Sequence, residues 1–356
     1  MNSIESSTEH SIEPGTESAA VVGRDNPGTM ARRLAALVEA AARGPLTAED
    51  DAAWDAPYGP AEAWDLHVED REAPGPHGPV PVRVYTPAAP ATGPRPVLVF
   101  CHGGSFQHGD LDMPEGDATA RGVAGRADAV VVSVDYRLCD EPPGGNPARV
   151  IPGTDPALEV RAPIPCDDVI AAVDWTRAQA EELGIDPVRL ALGGASAGGN
   201  LAAAASLRLA ESGRAPAASL LMYPVTHPLN PEATTEEAEA LAGVPDRFRF
   251  TPAGMRRMAE NYLGGPLEQA TAHDFPGLGT AEQLAVLPRT YLEADEFDDL
   301  RLGARRYAEQ LAEAGVEVEY AVRPGVTHGH LNKVGLAEAA RSWDRLAAIL
   351  GELREL

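Results

Sequence analysis

The sequence predicts an α/β protein with a mostly parallel sheet and helices on both faces. Two observations lead there. Short apolar runs alternate along the chain with stretches of helical periodicity. The runs PVLVFC at 96–101 and AVVVSV at 129–134 are almost unbroken in their apolar character, as strands covered on both faces are.

The elements follow in order. Residues 1–28 are rich in Ser, Glu and Thr and lack periodicity, so a disordered tail is expected. A helix is expected over 30–42, where Leu34, Leu37, Val38 and Ala41 share a face. A short acidic segment with Trp54 and Trp64 comes next. Val80, Val82 and Val84 alternate with other residues, which predicts a strand over 80–85. Strands are expected at 96–101 and 129–134, a helix over 167–183, a short strand at 189–192 and an Ala/Leu-rich helix over 198–211. Further strands are expected at 219–223, 290–293 and 316–322, with helices over 301–314 and 336–353. Two stretches break the rhythm. Residues 140–165 are rich in Pro and Gly and predict a long surface loop, a class of segment that is often functional. Residues 226–265 read as mostly helical and are placed to form part of a cap.

Composition narrows the function. The chain has 356 residues and a formal net charge of −25. That length buries a large core without disulfides or metals, and that charge opposes binding to nucleic acid or to an anionic membrane surface. The N-terminus is acidic where a secretion signal starts basic, and no run approaches the length of a membrane span. Cys101, Cys139 and Cys166 are too few and odd in number for a disulfide framework. A cytoplasmic protein is expected, with neither nucleic acid nor membrane as partner; a homodimer is left open.

The strongest local pattern is Gly194-x-Ser196-x-Gly198 between an expected strand and an expected helix. This is the setting of a nucleophile elbow, where a serine sits on a tight turn and the helix start favours a developing oxyanion. A serine hydroxyl needs a base. Among nine histidines only His328 and His330 follow the last core strand; the two are rivals on position alone, and nothing resembling a metal-binding cluster accompanies them. The base needs a carboxylate, and the stretch after the strand at 290–293 offers Asp295, Glu296, Asp298 and Asp299. The run Cys101-His-Gly-Gly-Ser-Phe106 lies at the end of another strand. Gly103 and Gly104 are the expected oxyanion donors, with Ala197 supplying the amide after the nucleophile. His102 and Asn200 are expected to organise these turns rather than to carry protons.

Together these motifs resemble the hormone-sensitive-lipase-like group of α/β-hydrolases, which includes bacterial carboxylesterases and acetyl esterases. The resemblance runs from about Pro96 to the C-terminus. It rests on HGGSF with Gly109-Asp-Leu-Asp112, on Val134-Asp-Tyr-Arg-Leu138 with Asp168, on GASAGGNLAAA, on Glu296-Phe-Asp-Asp-Leu-Arg301 and on Gly325-Val-Thr-His-Gly329. It implies an α/β-hydrolase fold with an eight-stranded sheet and a small helical cap. It also implies a cap segment at 29–70 and a catalytic domain at 71–356, with 226–265 contributing to the cap. It selects Ser196 as nucleophile, Asp298 as acid and His328 as base, with no cofactor and no metal. Four features depart from the family pattern: Ser105 replaces a third glycine, Ala195 replaces an acid before the nucleophile, His330 stands where Phe is usual, and the 140–165 loop is long.

The reaction implied is hydrolysis of a carboxylic ester of small to medium acyl length, through an acyl-enzyme. Two other readings use the same fold: a dehydratase or other natural-product tailoring enzyme, and a non-catalytic ligand-binding relative. The intact triad positions weigh against the last.

Overall fold

The computed structural model describes residues 30–140 and 149–353. The tail expected over 1–28 lies outside the described residues, as do residues 141–148 of the loop expected over 140–165.

Eight strands form one sheet: β1 (Leu66–Gly75), β2 (Gly78–Pro87), β3 (Arg95–Cys101), β4 (Val130–Val134), β5 (Ile185–Ala195), β6 (Ala218–Met222), β7 (Thr290–Phe297) and β8 (Val318–Thr327). Their order is β1-β2-β4-β3-β5-β6-β7-β8. β2 runs antiparallel to β1 and β4, and every other pair is parallel. The helices are α1 (Met30–Arg43), α2 (Ala48–Asp55), α3 (Pro114–Ala127), α4 (Ile164–Ala178), α5 (Ala180–Leu183), α6 (Ala197–Glu211), α7 (Thr235–Leu241), α8 (Pro252–Leu263), α9 (Ala281–Leu284), α10 (Leu300–Glu313) and α11 (Ala337–Glu352).

The two-residue period of a strand divides the core. In β3, Val97, Val99 and Cys101 pack with α4 and α6 on one face of the sheet. Leu98 and Phe100 pack with α1, α3 and α11 on the other. This explains the continuous apolar runs, because both faces are covered. α6 is buried almost all round, so its Ala-rich sequence fits a helix sandwiched in the core rather than one with a wet face.

Four features depart from the sequence expectations. β1 pairs with β2 over its whole length, from Leu66↔Pro87 to Gly75↔Gly78, yet Ala73 is its one buried residue. An edge strand this polar has no hydrophobic alternation to read. It also opens at Leu66, inside the segment assigned to the cap. α3 was not anticipated because Gly116, Gly122 and Gly125 dilute its pattern. Two of them answer to packing: a β-carbon on Gly122 would lie 2.9 Å from the Trp343 ring, and one on Gly125 2.1 Å from that of Trp64. The helix expected over 167–183 is two pieces, α4 and α5, and starts earlier, with Pro165 in its first turn. The described part of the 140–165 loop is not all surface, since Ile151 and Val160 are buried.

The topology positions the site. From β3 the chain moves through α3 to β4 on one side, then crosses to β5 on the other. The crevice at the carboxyl ends of β3 and β5 is the switch point where α/β sheets bind ligands. There the start of α6 presses on the end of β3. A β-carbon at Gly198 would lie 2.2 Å from the carbonyl oxygens of both Cys101 and His102. Gly198→Ala is therefore expected to lower stability by about 1–3 kcal/mol, despite alanine's better helix propensity. The urea midpoint of unfolding checks this; an unchanged midpoint would mean that the two segments part freely.

Candidate active site

β5 ends in Gly193-Gly194-Ala195, and Ser196 turns the chain into α6 at φ 55° and ψ −118°. That backbone is strained for a residue with a side chain. Its neighbours hold it: the Ser196 N–H donates to the Met222 carbonyl at 2.9 Å, and the Val225 N–H donates to the Ser196 carbonyl at 3.1 Å. Asn200 reinforces the turn by donating from Nδ2 to the Val225 carbonyl at 2.9 Å.

The structure brings Ser196, His328 and Asp298 into one line. His328 Nε2 lies 3.0 Å from Ser196 Oγ, and His328 Nδ1 lies 2.7 Å from Asp298 Oδ2. An ionised carboxylate only accepts, so Nδ1 carries the proton and Nε2 is left to accept from the serine hydroxyl. Asp298 is buried, and its Oδ1 accepts the Leu300 N–H at 2.9 Å. Burial works against a charged imidazole at His328. The adjoining Asp298, by charge and hydrogen bond, and then Asp295 and Glu115 outweigh it, so the pKa stands above the ordinary value of 6.5.

The rival residues have separate places. His330 is wholly buried; its Nδ1 is 2.8 Å from Asp295 Oδ1 and its Nε2 3.0 Å from Ser342 Oγ. Ser342 in turn donates to Glu293 Oε1, and Glu293 pairs with Arg323. This second Ser-His-Asp set is sealed in the core, where no substrate reaches it. Asp299 binds Arg249 through two hydrogen bonds of 2.8 Å and accepts the Phe250 N–H. Glu296 accepts the Gly325 N–H at 2.6 Å.

One expected oxyanion donor is corrected. The Gly103 N–H donates to Glu115 Oε2, so it is not offered to a substrate. Gly104 and Ser105 line the pocket beside Ser196, with Ala197 opening α6 behind it. Ser105 has φ 55°, a conformation a glycine would take more readily. His102 is buried and stacks on Tyr136 with ring centroids 4.5 Å apart; burial pushes its pKa down to about 4, keeping it neutral. It organises the loop, as expected.

The pocket has a volume of about 330 Å³ and is walled by Trp54, Met113, Phe248, Phe250 and Lys333. Trp54 of α2 meets Phe248 at a centroid distance of 4.6 Å, and Phe250 stands edge-on to His328 at 4.6 Å. A larger cavity of about 620 Å³, between Trp64 and Trp343, is lined by neither serine nor histidine. Glu115, Tyr223 and Asn332 also meet at the site; no local sequence pattern marks them, because they converge from three separate connections.

A sequence profile of the alpha/beta hydrolase fold matches residues 98–144 and 150–332. The chain belongs to the α/β-hydrolase family, in its hormone-sensitive-lipase-like group. Among the similar members is the esterase LipI of Mycobacterium tuberculosis, 34% identical over 281 residues, 78% of each chain. The ethyl acetate hydrolase of Pseudomonas putida is 30% identical over 266 residues, covering 73% of this chain and 74% of that protein. In structure, this α/β-hydrolase resembles the ester hydrolase EH1AB1 from the metagenome of Lake Arreo, with a TM-score of 0.71 and 29% identity over 92% of this chain and 99% of that one. With the family and the site together, the protein is a carboxylesterase-type serine hydrolase. Among the described residues no helix is long and apolar enough to cross a membrane.

His330 is the hydrolase's counter-ion to Asp295. Burial pushes the Asp295 carboxyl up to about 6, against the pull of His330. His330→Phe strands that carboxyl in the core, and an expected loss of about 3–5 kcal/mol at neutral pH follows. Adding Asp295→Asn should recover part of it. Denaturant titration of both variants is the check, and a His330→Phe protein as stable as wild type would contradict the pairing.

Proposed function

We propose that Ser196 is the nucleophile, His328 the general base and then general acid, and Asp298 the carboxylate that fixes the imidazole, in hydrolysis of carboxylic esters of small to medium acyl length. The observation that carries this reading is the series Ser196 Oγ, His328 Nε2, His328 Nδ1, Asp298 Oδ2, with gaps of 3.0 and 2.7 Å, opening on an aromatic-walled pocket. Ser196 Oγ attacks the ester carbonyl while its proton passes to His328 Nε2. The backbone amides of Gly104, Ser105 and Ala197 hold the oxyanion. The tetrahedral intermediate collapses, and His328 returns the proton to the leaving alcohol. Water, deprotonated by His328, then attacks the acyl-enzyme and releases the acid and Ser196.

The pocket volume of about 330 Å³ and the likeness to an ethyl acetate hydrolase support acyl groups at the small end. Contacts of Trp54 with Phe248 support a cap built from 226–265 and the segment before β1, over a catalytic domain that opens with β1 at Leu66 rather than at 71. Three buried, unpaired cysteines support a cytoplasmic setting.

An acyl-length series of chromogenic esters tests the assignment. Ser196→Ala is expected to lower kcat/KM by about 10⁴-fold or more while the protein stays folded; a folded variant keeping a tenth of the activity overturns it. Asp298→Asn should cost turnover by a similar order, since an amide permits the wrong tautomer, and Asp299→Asn far less.

The pH profile gives a further check. The base works as neutral imidazole, and the His328 pKa is raised. Activity should therefore be full above that pKa and be lost as pH falls through it, with the acid limb of kcat/KM above 6.5. A limb below 6.5 would separate the rate from this histidine.

A further inference from the structure

Glu115 is buried in the catalytic pocket wall, 1% exposed, and the proposed chemistry gives it no part. Its carboxylate is nevertheless the meeting point of three connections. Oε2 accepts the Gly103 N–H of the loop after β3. Oε1 accepts the Tyr223 hydroxyl, after β6, at 2.7 Å, and Asn332 Nδ2, in the turn after His328, at 3.2 Å. The Glu115 N–H donates back to Asn332 Oδ1 at 3.1 Å. All three of these partners are neutral, and each connection carries part of the site.

We infer that Glu115 is a positioning residue for ester hydrolysis, whose carboxylate fixes the oxyanion loop in register with the serine–histidine pair. The inference rests on the Ser196 reading above. Its geometry begins at two successive peptides. Glu115 holds the N–H of the His102–Gly103 peptide. The next peptide is held by its carbonyl: His102 Nδ1 lies 2.7 Å from the Gly103 oxygen, while the Tyr136 hydroxyl donates to the His102 carbonyl at 2.7 Å and lies 3.2 Å from the Gly103 oxygen. A trans peptide is planar, with its N–H opposite its C=O. With the Gly103 oxygen held by His102, the Gly104 N–H is set in the opposite direction. Glu115 thus withdraws the Gly103 amide, and the neighbouring peptide, held by His102, leaves the Gly104 amide for an oxyanion.

The second link is to the base. Tyr223, whose hydroxyl Glu115 receives, sets its ring edge-to-face with His328 at 5.1 Å and with His330 at 5.3 Å. Asn332 ties the turn following His328 to the same carboxylate. One group therefore sets the spacing between the oxyanion donors and Nε2, the distance that determines whether a tetrahedral intermediate is gripped from both sides.

The test is steady-state and pH-dependent kinetics on a short-chain chromogenic ester. Glu115→Gln keeps the shape but sets an amide N–H among converging donors, so one tie breaks. The expected result is a fall in kcat of about 10²-fold with KM changed little. The acid limb of kcat/KM should also move to lower pH. The groups facing His328 are Asp298 and Asp295 from β7 and its end, Glu115 from α3, Tyr223 from the β6 connection, Ser196 from the elbow and His330 on its own segment. Removing the Glu115 charge takes away one of the three anions that favour imidazolium. Glu115→Asp retains the charge, so kcat should fall while the acid limb stays. Tyr223→Phe keeps the ring on His328 and deletes one donor; a smaller kcat loss is expected, and this variant answers the question if Glu115→Gln does not fold. A folded Glu115→Gln with wild-type kcat overturns the inference. So does one that melts lower with kcat and acid limb unchanged, which is the signature of a purely structural residue. If Ser196→Ala hydrolyses as wild type does, the Ser196 reading fails and this inference with it; if Ser196→Ala is inactive and Glu115→Gln is normal, the inference alone fails.

Discussion

The catalytic end of the molecule depends on a contact between two pieces of backbone. The first turn of α6 lies on the carbonyl groups of Cys101 and His102 at a distance that leaves no room for a β-carbon at Gly198. This contact joins Ser196, the proposed nucleophile at the end of β5, to the loop proposed to receive the oxyanion, at the end of β3. It also makes the strained backbone of Ser196 tenable. A φ of 55° at a serine persists only when surrounding structure over-determines it, and the carbonyl and amide of Ser196 are both tied to the β6 connection. The serine is thus displayed by close packing rather than by a flexible loop.

The protein also buries several acids. Glu115, Asp168, Glu293, Asp295 and Asp298 are all inaccessible or nearly so. Each survives through a specific arrangement, since a buried charge is costly unless paired or hydrogen-bonded. Asp168 pairs with Arg137 at 2.6 Å and also accepts the Arg137 N–H at 2.9 Å, yet burial still pushes its carboxyl up to about 6. Glu293 has Arg323, Asp295 has His330 and Asp298 has His328. The last pair alone adjoins the pocket, so the two histidines two residues apart do different work. One is a counter-ion in the core, and the other meets a serine that substrate can touch.

Much of this was legible in the sequence, for identifiable reasons. The elbow is a local pattern, and its glycines mark a close approach that any strand-to-helix turn of this kind requires. The α/β alternation survives because parallel strands in the core are apolar on both faces, as Val97 to Cys101 and Val130 to Val134 are. What could not be read is what depends on distant partners. The direction of the Gly103 amide is set by Glu115 on another element, so the glycine pair looked like two equivalent donors. β1 gave no signal because an edge strand faces water, and α3 gave little because its glycines serve two tryptophan rings. Position alone left His328 and His330 as rivals and only the family resemblance separated them; the physical reason, Asp295 and Ser342 around His330, comes from β7 and α11.

Asp298 and Asp299 are consecutive, and they face different parts of the molecule. One carboxylate holds the imidazole; the other grips Arg249 and the Phe250 amide, on the strip of chain that roofs the pocket. A single peptide unit is therefore the axle between roof and triad. On the roles proposed for Asp298 and His328, the roof over the pocket and the aim of the base are thus anchored one residue apart, on opposite ends of the same peptide unit.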